Sequence, residues 1–221
     1  MVPETKLAEM LCTRLCHDLT GPIGAVNNGT EFLEDEGFDM HNEAVQLILS
    51  SAHEAVARLQ FYRQAYGRVN DSGETCLADK KKLAMDFFRA GKVKLDWPDS
   101  HTEASGVSIS QKTGRLLLNL LVIAGGSLIR GGTLSVRLSV TDDHKQVRIS
   151  AVGDTIKMDP EMAMILEGNG MESMLSPKTA QPFLTAKLAQ EVGASLTVEV
   201  QKDRLEMVVT QKQVIFATAV H

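Results

Sequence analysis

The sequence has no apolar run near the roughly 20 residues that cross a bilayer, so a helical membrane span is excluded. Met1–Lys6 are followed by an amphipathic pattern and not by the apolar stretch of a signal peptide. Cysteine is scarce: only Cys12, Cys16 and Cys76 occur in 221 residues. An odd number, two of them four residues apart in a helical pattern, argues against a disulfide framework. No further Cys or His has zinc-ligand spacing. Small buried or half-buried thiols in a reducing cytoplasm are expected, with no resident metal. Positive charge is not in surplus: the formal net charge is −5, which gives nucleic-acid binding little electrostatic support. Repeats and low-complexity tracts are absent. What is present is an ordinary globular composition, 43% hydrophobic and 23% charged, on a chain long enough for one large domain or two small ones.

From about Thr5 to Glu36 the apolar spacing predicts one long helix. At 100° per residue, Leu11, Leu15, Leu19, Pro22, Val26, Gly29 and Leu33 fall in a stripe less than about 100° wide, and Gly37 supplies a stop. A second helix is predicted over Asn42 to Tyr66. There Val45, Leu49, Ala52, Val56, Leu59, Arg63 and Tyr66 repeat at 4-3 spacing, a heptad seam. The short link between them makes the helices antiparallel neighbours. A pair about 40–50 Å long buries two apolar stripes poorly by itself. A second copy completing a four-helix bundle removes that problem, so a homodimer is expected.

Gly67 to Thr75 is polar and reads as a linker. Beyond it, helices are predicted at Asp79–Ala90, Gln111–Ile129, Pro160–Glu167 and Pro177–Val192. Strands are predicted at Val93–Trp97, Thr133–Thr141, Gln146–Val152, Ser195–Gln201 and Glu206–Gln211, with a hairpin turn at Asp142-Asp143-His144. The fold class is therefore α+β: a helical-hairpin domain over residues 1–70, then an α/β sandwich over 76–221 with a mainly antiparallel sheet and helices on one face.

Chemistry concentrates in Leu11–Ile23. His17 lies about 160° from the centre of the apolar stripe, hence toward solvent. Thr13, Thr20, Gly21 and Gly24 surround it and Asn28 follows one turn beyond Gly24, leaving room for another protein to approach. Asp18 can hydrogen-bond the imidazole and fix its tautomer, leaving one nitrogen as nucleophile. Arg14, one turn earlier, can pair with a phosphate. Pro22 removes the helical bond to the Asp18 carbonyl and is expected to bend the helix there. Taken alone, a surface histidine at this place is more often a solvated helix residue than a reactive one.

The motif His17-Asp18-Leu19-x-x-Pro22-Ile23, preceded by Leu-x-x-x-Leu, resembles the H-box of sensor histidine kinases. Residues 10–34 as a run, and the segment Arg115–Gly132, resemble the ChpT-type histidine phosphotransferases of alphaproteobacteria more closely. That resemblance implies that His17 carries phosphate on a dimeric hairpin. It also implies partners: the receiver domain of a hybrid histidine kinase as donor, and response regulators of the cell cycle as acceptors. Magnesium would arrive with the receiver. Histidine kinases with phosphatase activity usually carry Thr or Asn four residues after the histidine. Gly21 stands there, so phosphatase activity is expected to be weak.

Against the kinase pattern the second domain has lost its nucleotide ligands. Asn119-Leu120-Leu121-Val122-Ile123-Ala124 matches the N-box but has Ile123 where a magnesium-holding Asn belongs. Ala151–Ile156 lacks the spacing of the adenine-contacting box. Thr179–Leu184 has Pro182 and Phe183 where glycines admit phosphate. No ATP and no other cofactor is expected. The Gly125-Gly126 and Gly131-Gly132 pairs read as helix-end and turn glycines. Met158, Met162, Met164, Met171 and Met174 read as adaptable packing, or as a partner groove. Two rival readings remain. ATP binding would mark a divergent kinase; failure of His17 to accept phosphate would mark a non-enzymatic scaffold.

Overall fold

The computed structural model describes residues 3–36, 43–68, 73–98, 108–140 and 144–212. The predicted stop at Gly37 and the turn at 142–143 lie outside them. Two long helices open the chain, α1 (Glu4–Glu36) and α2 (Glu43–Tyr66), packed along each other. α1 runs as one 33-residue element through Pro22, which is buried. Its apolar stripe is covered. Pro22 and Gly29 are buried, the leucines and Val26 are half-buried, and Leu11 and Leu15 pack on the core of the sandwich. At Gly29 the helices touch so closely that a Cβ would meet Ile48 Cγ1 at 2.6 Å.

The 4-3 spacing of α2 holds, but it is not the contact seam of this hairpin. Val45 is buried, whereas Leu49, Val56 and Leu59 are 44%, 53% and 54% exposed. α2 instead turns Ala44, Ser51 and Tyr62 inward, about 100° round the helix from that seam. One contact face and one open apolar stripe therefore coexist.

After α2 come β1 (Glu74–Cys76), α3 (Leu77–Phe88), β2 (Val93–Asp96), β3 (Ser108–Ser110), α4 (Gln111–Ser127), β4 (Gly132–Val140), β5 (His144–Val152), α5 (Pro160–Met164), α6 (Ala180–Glu191), β6 (Ala194–Val200) and β7 (Arg204–Lys212). The main sheet has the order β2-β4-β5-β7-β6, with β2–β4 parallel and the other three pairs antiparallel. Period-two burial sorts its faces. Leu134, Val136, Ile149, Ala151, Leu205 and Met207 are fully enclosed on the side that carries α4 and α6. The other face carries ion pairs, Arg137–Asp96 at 2.5 Å and Arg148–Glu206 at 2.7 Å. β1 and β3 form a second, two-stranded sheet, so Glu74 and Thr75 belong to a strand and not to a linker. α4 stops at Ser127, short of Ile129. The chain turns through Gly131 and Gly132, both at positive φ (89° and 144°), into β4.

The hairpin is joined to the sandwich by a continuous core. Phe61, Tyr62 and Ala65 of α2 belong to the same cluster as Leu116, Leu120 and Leu134. The carbonyls at the end of α2, which have no helical partner, are met by α4. Asn119 Nδ2 donates to Ala65 O at 2.9 Å, Arg115 Nε to the same oxygen at 3.1 Å, and Arg115 Nη2 to Tyr66 O at 3.0 Å. Of the methionines, Met158, Met162 and Met174 pack inward, while Met164 and Met171 are exposed.

Candidate functional site

His17 lies in the middle of α1 with its side chain 88% exposed. Thr13, Thr20 and Gly21 are exposed beside it and Gly24 is half-buried. Cβ atoms built on Gly21 and Gly24 would meet nothing within 4 Å, so this face is open. Asn28 is exposed too, but it lies roughly 16 Å along the helix from His17 at 1.5 Å per residue. Thr13 Oγ1 donates to Glu9 O at 3.0 Å and Thr20 Oγ1 to Cys16 O at 2.8 Å. Both hydroxyls are thus turned back onto the helix. Cys12, Cys16 and Cys76 are all exposed, contrary to the buried or half-buried thiols expected. The first two follow Leu11 and Leu15 by one residue each, which rotates them about 100° out of the packed stripe.

Beneath the histidine lies a polar network that spans both helices. His17 Nδ1 is 3.4 Å from Asp18 Oδ1, the outer end of hydrogen-bonding range. Asp18 Oδ2 accepts from Tyr62 Oη at 2.8 Å and lies 3.8 Å from Arg14 Nε. Arg58 Nη1 donates to the Asp18 carbonyl at 3.4 Å. Arg14 is 25% exposed and sits toward the sandwich side of α1, beside Asp18. Burial, reinforced by the negative Asp18 and by the hydrogen bond to it, raises the Tyr62 phenol far above its ordinary value. Burial likewise pushes Tyr66 up to about 12 against the opposing pull of Arg14. Tyr62 and Arg58 are absent from the sequence reading. Their positions carry no motif, and they meet Asp18 only through the register of the two helices.

In the segments that resemble kinase nucleotide boxes, several donors are met by the chain's own carbonyls. Asn119 is fully buried and its amide serves Ala65 and Arg115 carbonyls. Gln181 Nε2, at the start of α6, reaches Asn119 O at 3.4 Å. Gly153 N donates to Asp203 O, Ile156 N to Lys202 O and Lys157 N to Ser127 O. Ile123 is 4% exposed. It borders a cavity of about 430 Å³ shared with Arg14, Lys157, Met158, Asp159 and Lys178. The last two form an ion pair at 2.8 Å, whose hydrogen bond holds the Asp159 carboxyl below its usual range. Among the described residues no group of three or more His, Cys, Asp or Glu could hold a metal ion. None of the described helices is long and apolar enough to cross a membrane.

The structure of histidine kinase ThkA in complex with response regulator protein TrrA superposes with a TM-score of 0.50 at 12% identity, covering 95% of this chain and 63% of that one. A hairpin followed by a kinase-type sandwich is thus the class of fold. The 1.7 Å structure of a bacterial phosphotransferase superposes much better: TM-score 0.80, 32% identity, 95% of this chain and 98% of that one. The family profile for the histidine phosphotransferase C-terminal domain matches residues 77–204. Protein phosphotransferase ChpT of Brucella abortus (strain 2308) is 36% identical over 193 residues, 87% of this chain and 89% of that protein. The chain belongs to the histidine phosphotransferase family, as a ChpT-like protein phosphotransferase.

Proposed function

We propose that His17 is the phosphate carrier of a phosphorelay. It takes a phosphoryl group from the phospho-aspartate of one receiver domain and passes it to the aspartate of another. The observation that carries this reading is the imidazole itself. It is 88% exposed on an open face, with Nδ1 turned to the Asp18 carboxylate and Nε2 left to solvent. In the forward step Nε2 forms a bond to phosphorus as the P–O bond of the acyl phosphate breaks, and the leaving carboxylate keeps the electron pair. No proton is lost, so the phosphorylated ring carries positive charge beside Asp18. The second step is the reverse on another receiver. Charge on the transferring group is offset by magnesium in the receiver's acidic pocket.

Donor and acceptors follow the family: the receiver of a hybrid histidine kinase, then response regulators of the cell cycle. The exposed stripe of Leu49, Val56 and Leu59 suits a second copy in a four-helix bundle. Nucleotide is not the phosphate source in this reading. Ile123 replaces the magnesium ligand, and Asn119 is engaged with α2. Such a protein acts with its partners in the cytoplasm.

The test supplies labelled phosphate from two sources. Phosphorylated receiver is expected to label the protein, which then labels a second receiver. Labelled ATP is expected to leave it blank. Label from ATP alone would establish a divergent kinase, and label from neither would establish a scaffold.

A further inference from the structure

α2 holds Asp18 at two points. Tyr62, 3% exposed, donates its hydroxyl to Asp18 Oδ2 at 2.8 Å. One turn earlier, Arg58 Nη1 donates to the Asp18 carbonyl at 3.4 Å. That carbonyl has no helical donor, because residue 22 is proline. Both clamping groups are themselves fixed. The Tyr62 ring stacks on Tyr66 with centroids 5.2 Å apart, and meets Phe61 and Phe87 edge-on. The Arg58 guanidinium lies 5.9 Å over Phe87 and pairs with Glu54 at 2.7 Å.

The ring packing of Tyr62 needs no hydroxyl, and phenylalanine would serve it. Among the described residues, the hydroxyl's partner is the carboxylate beside the histidine. With Oδ2 engaged by Tyr62, Oδ1 stays 3.4 Å from His17 Nδ1.

We propose that Tyr62 is a positioning residue for phosphoryl transfer: by binding Oδ2 of Asp18 it aims Oδ1 at His17 Nδ1, keeps the ring proton there, and leaves Nε2 free for phosphorus. The proposal rests on His17 being the phosphate carrier. When Nε2 bonds phosphorus the ring gains positive charge while the Nδ1 proton stays in place. A carboxylate already in position stabilises that charge without reorganising. A freed carboxylate would rotate into water, and the ring proton would divide between the two nitrogens. Burial keeps the phenol protonated well into alkaline solution, so Tyr62 remains a donor over the working range.

Tyr62→Phe in the full chain tests this with two readouts, the His17 tautomer by ¹⁵N NMR and the rate of transfer from a phosphorylated receiver. The expected result is a loss of the Nδ1–H tautomer and a fall in transfer of about ten- to a hundredfold, the range of one hydrogen bond to a charged group. Asp18→Asn, which leaves the aromatic stack untouched, should show the same tautomer change. Adding Tyr62→Phe to it should cost nothing further. If Tyr62→Phe fails to fold, the tautomer in Asp18→Asn decides alone. An unchanged tautomer in the decisive variant overturns the proposal whether or not the rate falls, and so do additive losses in the double variant. Wild-type protein that takes no phosphate on His17 would instead overturn the functional reading, and the tautomer comparison would still report on Tyr62.

Discussion

Three hydroxyls near His17 go two ways: Thr13 and Thr20 onto their own helix, Tyr62 onto Asp18. The chain contains only two tyrosines, Tyr62 and Tyr66, so its phenol absorbance reads this site and nothing else. Neither should ionise near pH 10, where a free phenol is half-ionised. Tyr66 should follow at about 12 and Tyr62 later still. The sign for stability follows. The unfolded chain releases these protons first, so stability is complete below pH 10 and falls as pH rises through the folded values. A titration with a midpoint near 10 would mean that the stack is open to water. The glycines give a second pair of outcomes. Gly24→Ala should raise stability by about 1 kcal/mol, having free space and better helix propensity. Gly29→Ala should lower it, because Ile48 must move. Gly24→Arg should keep its thermal midpoint while transfer falls by orders of magnitude, since receivers need this face clear. An active Gly24→Arg variant would mean that they approach elsewhere. His17 and Asp18 were legible because motif and helical phase agree on them. Tyr62 was not, since its role depends on which residue of α1 lies opposite, 44 positions away in sequence.

The helices and strands themselves were legible almost throughout, because apolar period distinguishes 3.6 from 2 over elements of this length. The three-residue strands β1 and β3 were not, being too short to show a period. Nor does period state which neighbour covers a stripe. The α2 seam is apolar and regular, yet α1 packs a quarter turn away from it, and of the α1 stripe only Leu11 and Leu15 reach the core cluster that joins α2 to the sandwich. The dimer proposal therefore rests on Leu49, Val56 and Leu59. Leu49→Glu or Val56→Asp should leave each protomer folded, since these side chains are about half exposed there. A buried unpaired charge at the pairing surface costs several kcal/mol, on the order of a lost dimer. Sedimentation should give a wild-type dimer and a monomeric variant. A compact wild-type monomer at micromolar concentration would contradict the proposal.

At the scale of the whole molecule, Asn119 and Arg115 of α4 form part of the joint between hairpin and sandwich. The sequence reading compares Asn119 with a kinase N-box. It did not find the new use of Asn119, because a buried amide's partners are set by tertiary packing. Asn119→Ala should cost about 1–3 kcal/mol by removing one of the two donors to the Ala65 carbonyl at the end of α2 and the side-chain donor to the Arg115 carbonyl, which lowers the thermal midpoint of a chain this size by several degrees. A kinase-type role for Asn119 would instead leave stability unchanged and alter nucleotide affinity, which calorimetry would detect. In the proposed relay, phosphate is carried on Nε2 of His17, one of six histidines in the chain. ³¹P–¹⁵N NMR of ¹⁵N-histidine-labelled protein, after incubation with a phosphorylated receiver, tests it most directly. One phosphoramidate coupled to His17 Nε2 is expected, with no signal in His17→Gln, which should fold normally because the exposed side chain leaves no cavity. Phosphate on the exposed His53 or on any other residue, or a signal that survives His17→Gln, would contradict it.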